Sequence, residues 1–356
     1  MDGLFEPAVG GSGILGDIGA TSSDKIKIMV IGVGGAGCNT INRLSQMGIK
    51  SAETVAVNTD SLHLKMVSAD KKILIGKSIT KGLGAGGFPE VAAKCAQVSK
   101  DELRAALDGV QLLFLCAGMG GGTGTGASPI IAQLAKEQGA IVVSMVTYPF
   151  ALERIRMQKA TWGIDELKKT SDTVVIIDNN RLVSYVPNLP LNQAFAVADE
   201  LTAHAVKGIA DTIMFPSLVN IDFADMRAIM GNAGVAIISV GEGKGGNKVD
   251  QVVRNTLDHP LLDVDYTGAR GALIHISGGQ NLTLGEATQI GEKLTDVFHE
   301  QANIIWGARL DPDMGDTVRV TSIMTGITSP HVVGKVAAEG ERSQVFDISG
   351  VEEITL

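Results

Sequence analysis

The sequence predicts an α/β protein: a parallel sheet with helices on both faces, a long central helix, and a second, smaller α/β or α+β domain. Three observations carry this. From "KIKIMVIG" onward, short β-rich apolar runs alternate with helical patterns, the order that gives parallel strands joined by crossover helices. Residues 191–215, "LNQAFAVADELTAHAVKGIADTIMF", are good helix formers with no internal proline, a spine between two halves. Past it, four more strand-like runs arrive with two helical patterns.

In chain order, residues 1–24 are rich in Gly and Ser without any period and read as a flexible arm. Residues 25–190 hold expected strands near 26–31, 54–57, 72–75, 110–116, 140–146 and 173–178, separated by turn residues and helical stretches. The central helix takes 191–215. Residues 216–328 carry "GVAIISVGEG", "ALIHISGG", "ANIIWGARL" and "TVRVTSIMTG", with helices expected at about 246–258 and 283–299. From 329 to 356 the pattern dissolves into a linker and tail, and no internal repeat is found.

Composition excludes several classes of function. The 356 residues are 45% hydrophobic, enough for a sizeable core and for two domains rather than one. With 39 acidic and 30 basic residues, a net charge of −9 and no basic stripe, nothing favours nucleic acid as a partner. No apolar run approaches the roughly 20 residues of a membrane span, and the N-terminus lacks a basic region followed by a hydrophobic one. A cytoplasmic protein with no direct membrane insertion is expected. Cys38, Cys95 and Cys116 lack paired spacing, which argues against a disulfide framework. The six histidines are scattered, so no protein-built metal site is expected.

The glycines carry the chemistry. "CAGMGGGTGTGASP", residues 116–129, follows an apolar strand and precedes a helical pattern that Thr123 or Thr125 could cap. A bare backbone there lets N–H groups approach an anion at a helix N-terminus, and phosphate is the natural guest; the competing reading is a loop built for tight packing. "IGVGGAGCN" follows the first strand and contains G-x-G-x-x-G as Gly32, Gly34 and Gly37, the Rossmann-like dinucleotide fingerprint, with Asp60 ending the next strand. A nicotinamide-dependent dehydrogenase would use that fingerprint for pyrophosphate. It leaves the richer loop at 118–126 unexplained. "KGLGAGGFPE" at 81–90 is a third glycine segment, so three loops can surround one polyphosphate. No G-x-x-x-x-G-K-[ST] occurs, which removes the ordinary P-loop class.

"GVGGAGCN", "NTD", "GLGAGGFPE", "AGMGGGTGTG", "TYPF", "NLP" before the long helix and "NIDFADMRAIM" stand in the order seen in FtsZ proteins. Across about residues 25–327 the sequence resembles the tubulin/FtsZ family of GTPases, archaeal-type FtsZ in particular. The resemblance implies the tubulin/FtsZ fold, GTP/GDP as ligand with Mg²⁺ held through phosphates and water, and head-to-tail polymerisation into protofilaments of a division ring at mid-cell. It implies that Gly34, Gly35, Ala36, Gly37, Cys38 and Asn39 line the phosphate side. Gly118, Gly120, Gly121, Gly122, Thr123 and Gly124 would cradle the phosphates, with Asp60 and Gly86 from the neighbouring loops. Glu153 would reach the ribose, Asn179 and Asp199 would read the guanine edge, and Phe195 would lie against the base. Read without the resemblance, Asp199 is a solvated helix residue and Phe195 core. "PFALERIRM" departs from the family, lacking a Gly and one residue; Arg156 is the better match for the nucleotide-contacting Arg, and Arg154 is the other candidate.

No general base stands near the glycine loops. The best acidic cluster, Asn220, Asp222 and Asp225 in "NIDFAD", follows a helix that rises about 24 Å between Asp199 and Phe215 at about 1.5 Å per residue. One subunit therefore does not bring these groups to its own phosphates; if they act, they act on a neighbour's, and a heterologous contact that does not close gives a filament. Alternatively, Asp222 and Asp225 only cap and charge the next helix. The resemblance implies catalysis. Arg227 fits an interface role. The tail "VFDISGVEEITL" is suited to docking on a partner, and by resemblance that partner is a membrane-anchoring division protein. The alternatives to a polymerising GTPase are a NAD-dependent dehydrogenase and a non-hydrolysing nucleotide-binding scaffold; the intact "NIDFAD" argues against the scaffold.

Overall fold

Strand β1 (Ile28–Val33) is buried along its whole length, as a strand covered on both faces must be. The structure, a computed structural model, describes residues 26–215, 217–219, 221–231, 234–257 and 269–326. The expected arm, the tail from 329 and Asn220 lie outside them. After β1 come α1 (Gly34–Gln46), β2 (Glu53–Asn58), α2 (Ser61–Met66), β3 (Lys71–Leu74), α3 (Lys77–Thr80), α4 (Pro89–Val98) and α5 (Lys100–Leu107). Then follow β4 (Leu112–Gly118), α6 (Thr123–Glu137), β5 (Ile141–Tyr148), α7 (Ile155–Thr170), β6 (Thr173–Asp178), α8 (Asn179–Tyr185) and α9 (Leu191–Met214). The second half has α10 (Phe223–Met230), β7 (Gly234–Lys244), α11 (Lys248–Leu257), β8 (Gly271–Gly278), α12 (Leu284–Thr295), β9 (Asn303–Leu310) and β10 (Thr317–Thr325).

Strand order is β3-β2-β1-β4-β5-β6-β7-β10-β8-β9. Its first six strands, all parallel, have the doubly wound order, whose switch point falls between β1 and β4. Strand periodicity sorts the side chains. Met29, Ile31 and Val33 join one apolar layer with Cys95, Ala127 and Ile131, while Ile28 and Val30 join the other with Ile41, Leu44 and Val206. That second layer runs on through Ile209 of α9 to Ile238, Leu273 and Ile323 of the second sheet, so the central helix shares one core with both halves.

The second half is a mixed sheet: β10 pairs antiparallel with β7 and β8, and β8 pairs parallel with β9. Helices α11 and α12 cover it through Val252, Ala287, Ile290 and Leu294. The two sheets are joined, because the first residues of β7 pair with β6 through Thr173↔Gly234 and Val174↔Val235 before the strand continues against β10.

Candidate functional site: a glycine-walled cleft at the switch point

Strands β1 and β4 lie in register, Val33 opposite Ala117, so the two glycine segments that follow them leave the sheet side by side. Helices α1 and α6 both start there, and neither first turn has an acidic residue or a side-chain cap. Their free N–H groups and the positive ends of their dipoles therefore point at the crevice. A cavity of ≈ 750 Å³ opens over them.

Gly35 and Gly121 face open space, with no atom within 4 Å of where a Cβ would stand. These two positions are the bare backbone of the wall. Other glycines of the same motifs serve packing: a Cβ on Gly34 (φ +73) would meet the Gly124 nitrogen at 2.8 Å, one on Gly124 the Gly118 oxygen at 2.5 Å, and one on Gly126 the Pro89 oxygen at 1.9 Å. Helix α6 begins at Thr123, inside the stretch the sequence reads as loop, because the neighbouring backbones come close enough to require glycines within a helix. Neither Thr123 nor Thr125 caps it. Gly122 holds the N-cap position; the Thr123 hydroxyl bonds Thr59 Oγ1 at 2.7 Å, and Thr125 Oγ1 accepts from the Gly120 N–H at 2.9 Å.

The far wall comes from segments after β5 and β6. Glu153 and Arg156 line it as an ion pair, and Glu153 also accepts from the Phe150 N–H at 3.1 Å. Arg154 sits beside them, exposed, at φ 22. Asn179 reaches the cavity with its Oδ1 buried and without a partner among the described residues. Phe195 meets Phe150 edge to face, centroids 5.7 Å apart.

Eleven expected ligand residues thus line the cavity: Gly35, Ala36, Gly118, Gly121, Gly122, Thr123, Gly124, Glu153, Arg156, Asn179 and Phe195. The others stand behind this wall. Gly34 and Gly37 hold the two loops together, Gly37 against the Cys116 carbonyl, and Gly120 (φ +92) packs on the backbone of Arg156. Gly86 abuts the Phe88 ring, and Asn39 is exposed on α1. Asp60 caps α2, accepting from Leu62 and His63 N–H groups. Cys38 is fully buried, its Sγ against the carbonyls of Gly32 and Val57, and burial pushes its thiol up to about 12. Its side chain is a packing element and not a ligand. Asp199 lies one helical turn from Phe195 but is set back, accepting from Thr40 Oγ1 at 3.3 Å; burial pushes its carboxyl up to about 6. Sequence reasoning missed Thr147 and Pro149 on the wall, although "TYPF" at the carboxyl end of β5 was the signal for them. Val186 and Leu189 had no comparable signal.

At the other end of α9, Asp222 caps α10 in a reciprocal box: the Asp225 N–H donates to Asp222 Oδ1 at 2.7 Å and the Asp222 N–H to Asp225 Oδ2 at 3.1 Å. Each carboxylate keeps one oxygen outside the box. Arg227 stacks on Phe223, 5.3 Å from the ring centroid. Among the described residues no cluster of three or more His, Cys, Asp or Glu could hold a metal ion, and no helix is long and apolar enough to cross a membrane.

A model of the tubulin/FtsZ family GTPase domain matches residues 27–187, and one of the FtsZ family C-terminal domain matches 234–328. Cell division protein FtsZ 2 of Methanocaldococcus jannaschii is 58% identical over 314 residues, 87% of this chain and 83% of that protein. Its namesake in Halobacterium salinarum is 50% identical over 325 residues, 90% and 83%. A solved empty FtsZ dimer from M. jannaschii has a TM-score of 0.82 at 43% identity, covering 94% of this chain and 96% of that one. A GTPγS-bound CetZ2 protofilament from Haloferax volcanii shares the fold, with a TM-score of 0.74 at 21% identity over 86% and 95% of the two chains.

Proposed function

Because this chain belongs to the tubulin/FtsZ family and is an FtsZ-type GTPase of cell division, we propose that the cleft over α1 and α6 is its GTP site and that a neighbouring subunit completes it. The dehydrogenase alternative finds no support in these matches. The observation that carries the proposal is the pair of uncapped helix starts at one switch point, with the acidic helix start beyond the other end of a 24-residue helix.

The residues fit the nucleotide. Gly35 and Gly121 leave backbone open to phosphate oxygens, and the orphaned Asn179 Oδ1 needs a donor that a guanine N–H supplies. Phe195 offers its ring to the base. Glu153, already hydrogen-bonded to the Phe150 N–H, is held in reach of a ribose hydroxyl, and Arg156 balances its charge. Asp199, a turn further along α9, meets the guanine amino edge when α1 yields its Thr40 contact. Mg²⁺, coordinated by phosphates and water, would neutralise charge on the leaving phosphates.

Helix α9 spans roughly 36 Å at about 1.5 Å per residue. The outward oxygens of Asp222 and Asp225 therefore polarise the attacking water on the γ-phosphate of the next subunit, and Asn220 of the same motif is the third residue proposed for this step. Contact between unlike ends builds an open filament. Self-association is supported by the dimer of the M. jannaschii relative, and a mid-cell ring by the names of the relatives. The tail beyond 329 is the segment for a membrane-anchoring partner. Phosphate release measured over a range of protein concentrations with GTP and Mg²⁺, with light scattering in the same cuvette, tests this. Both signals should vanish below one threshold; turnover proportional to protein from the lowest concentration, without scattering, would mean a self-sufficient site.

A further inference from the structure

Between α9 and the second sheet lies a smaller cavity of ≈ 290 Å³, apart from both the glycine cleft and the acidic helix start. Helix α9 contributes His204, Lys207 and Asp211, β8 contributes His275, β9 Arg309 and β10 Arg319. His275 is 4% exposed, and its Nδ1 has no hydrogen-bond partner among the described residues. Asp211 pairs one oxygen with Lys207 and leaves Oδ1 buried without a partner. Arg309 stacks over Phe215, 5.1 Å from the ring centroid, and has no carboxylate partner among the described residues. Arg319, by contrast, is held by Glu242 at 2.6 Å, and Asp311 at the rim accepts from the Asp313 N–H.

Buried polar groups in native proteins find partners, and two here, His275 Nδ1 and Asp211 Oδ1, lack one among the described residues, beside the half-buried Arg309, which has no carboxylate partner among them. Their chemistry defines the guest. Burial, with Arg309 nearby, holds His275 down at about 4, so at neutral pH the imidazole is uncharged and offers one N–H donor. With the proton on Nδ1, that N–H and Arg309 call for an anionic oxygen, and Asp211 Oδ1 calls for a hydroxyl donor. A cation would leave Arg309 unsatisfied. An anion without a hydroxyl would set its charge against Asp211 with no proton between them.

We propose that this cavity binds a small oxyanion that also carries a hydroxyl group, hydrogen phosphate and 2-hydroxycarboxylates being the two sources of that chemistry. Such a ligand ties the central helix to three strands of the second sheet, and by mass action it stabilises the arrangement it binds.

The test uses the full chain loaded with GDP, so that the glycine cleft is filled, and measures equilibrium binding of inorganic phosphate, lactate and sulfate at constant ionic strength. The His275 ring ¹⁵N shifts are followed in parallel. Phosphate or lactate is expected to saturate one site per chain and to move the His275 nitrogens; whichever does so identifies the source. Sulfate, which has no hydroxyl at neutral pH, should bind about tenfold or more weakly, a preference that Asp211→Asn removes. Arg309→Met should weaken phosphate or lactate about tenfold or more. The proposal is overturned if neither ligand moves the His275 shifts, if sulfate binds as well as both, or if Arg309→Met binds like wild type. Should Arg309→Met fail to fold, the His275 shifts in the wild-type chain decide alone. Failure of GDP to bind would undo the nucleotide reading, on which this inference does not rest.

Discussion

Helices α6 and α10 have first turns that are opposites. The α6 start has Gly122 at its N-cap and no acidic residue, so its N–H groups are left for an external anion. The α10 start is closed by its own Asp222 and Asp225. A helix N-terminus without a cap lacks one ordinary source of stabilisation, about 1 kcal/mol for a polar cap. Its persistence here beside a second uncapped start marks a place kept for a ligand. The α10 start presents negative charge instead, the complement that the proposed head-to-tail contact requires.

The largest expected effect breaks the α10 side. Asp222→Asn preserves an N-cap of equal quality, so stability should hold within about 0.5 kcal/mol, while GTP turnover falls by roughly 10²–10⁴ as water activation is lost. Turnover near wild type in that variant would reduce the acid pair to caps. On the α6 side, Gly121 has nothing within 4 Å of its Cβ position. Gly121→Asp should fold normally yet bind GTP about 100-fold more weakly, checked by nucleotide titration. Five residues on, Gly126→Ala drives a methyl into the Pro89 carbonyl at 1.9 Å and should cost about 1–3 kcal/mol in denaturant unfolding. Equal behaviour of the two variants would erase the division between wall and packing glycines.

A smaller effect follows from Asp199, whose carboxyl lies raised at about 6. To accept from guanine it must be ionised. GTP affinity should therefore be level above pH 6 and fall, by at most about tenfold per unit, as pH drops through 6. The linkage to folding has the opposite sign: a carboxylic acid whose folded value exceeds its unfolded one loses stability as pH rises from about 4 to 6. Asp199→Asn should flatten both profiles. Smallest is Arg154, at φ 22 in the segment one residue shorter than the family pattern. Arg154→Gly should stabilise the chain by about 1 kcal/mol without loss of GTP affinity, whereas Arg156→Ala, at the wall, should weaken binding.

Much of the fold was legible because it rests on local pattern. β1, β4 and β5 stand out as apolar β-rich runs since both faces of a central parallel strand are buried, and α9 stands out as 24 residues without a proline. The glycine motifs pointed to the crevice over α1 and α6 because backbone that approaches phosphate must be bare. They did not show which glycines face it. Gly35 and Gly121 look no different in sequence from Gly124 and Gly126, and only the neighbouring carbonyls distinguish them. Nor does "AFAVADEL" tell that Asp199 bonds Thr40, since Thr40 is 159 positions away.

The sequence by itself therefore determined the elements, the glycine-rich loops that follow β1 and β4 and the two acids placed beyond the long helix, because periodicity and residue chemistry are properties of neighbours along the chain. Only the tertiary structure decided that β7 joins the two sheets, that Asn179 and Phe195 share a wall with Gly121, and that His275, Asp211 and Arg309 face one another across a cavity. Those facts depend on contacts between distant segments. Burial decides what each side chain must satisfy, and burial exists only once the segments have packed.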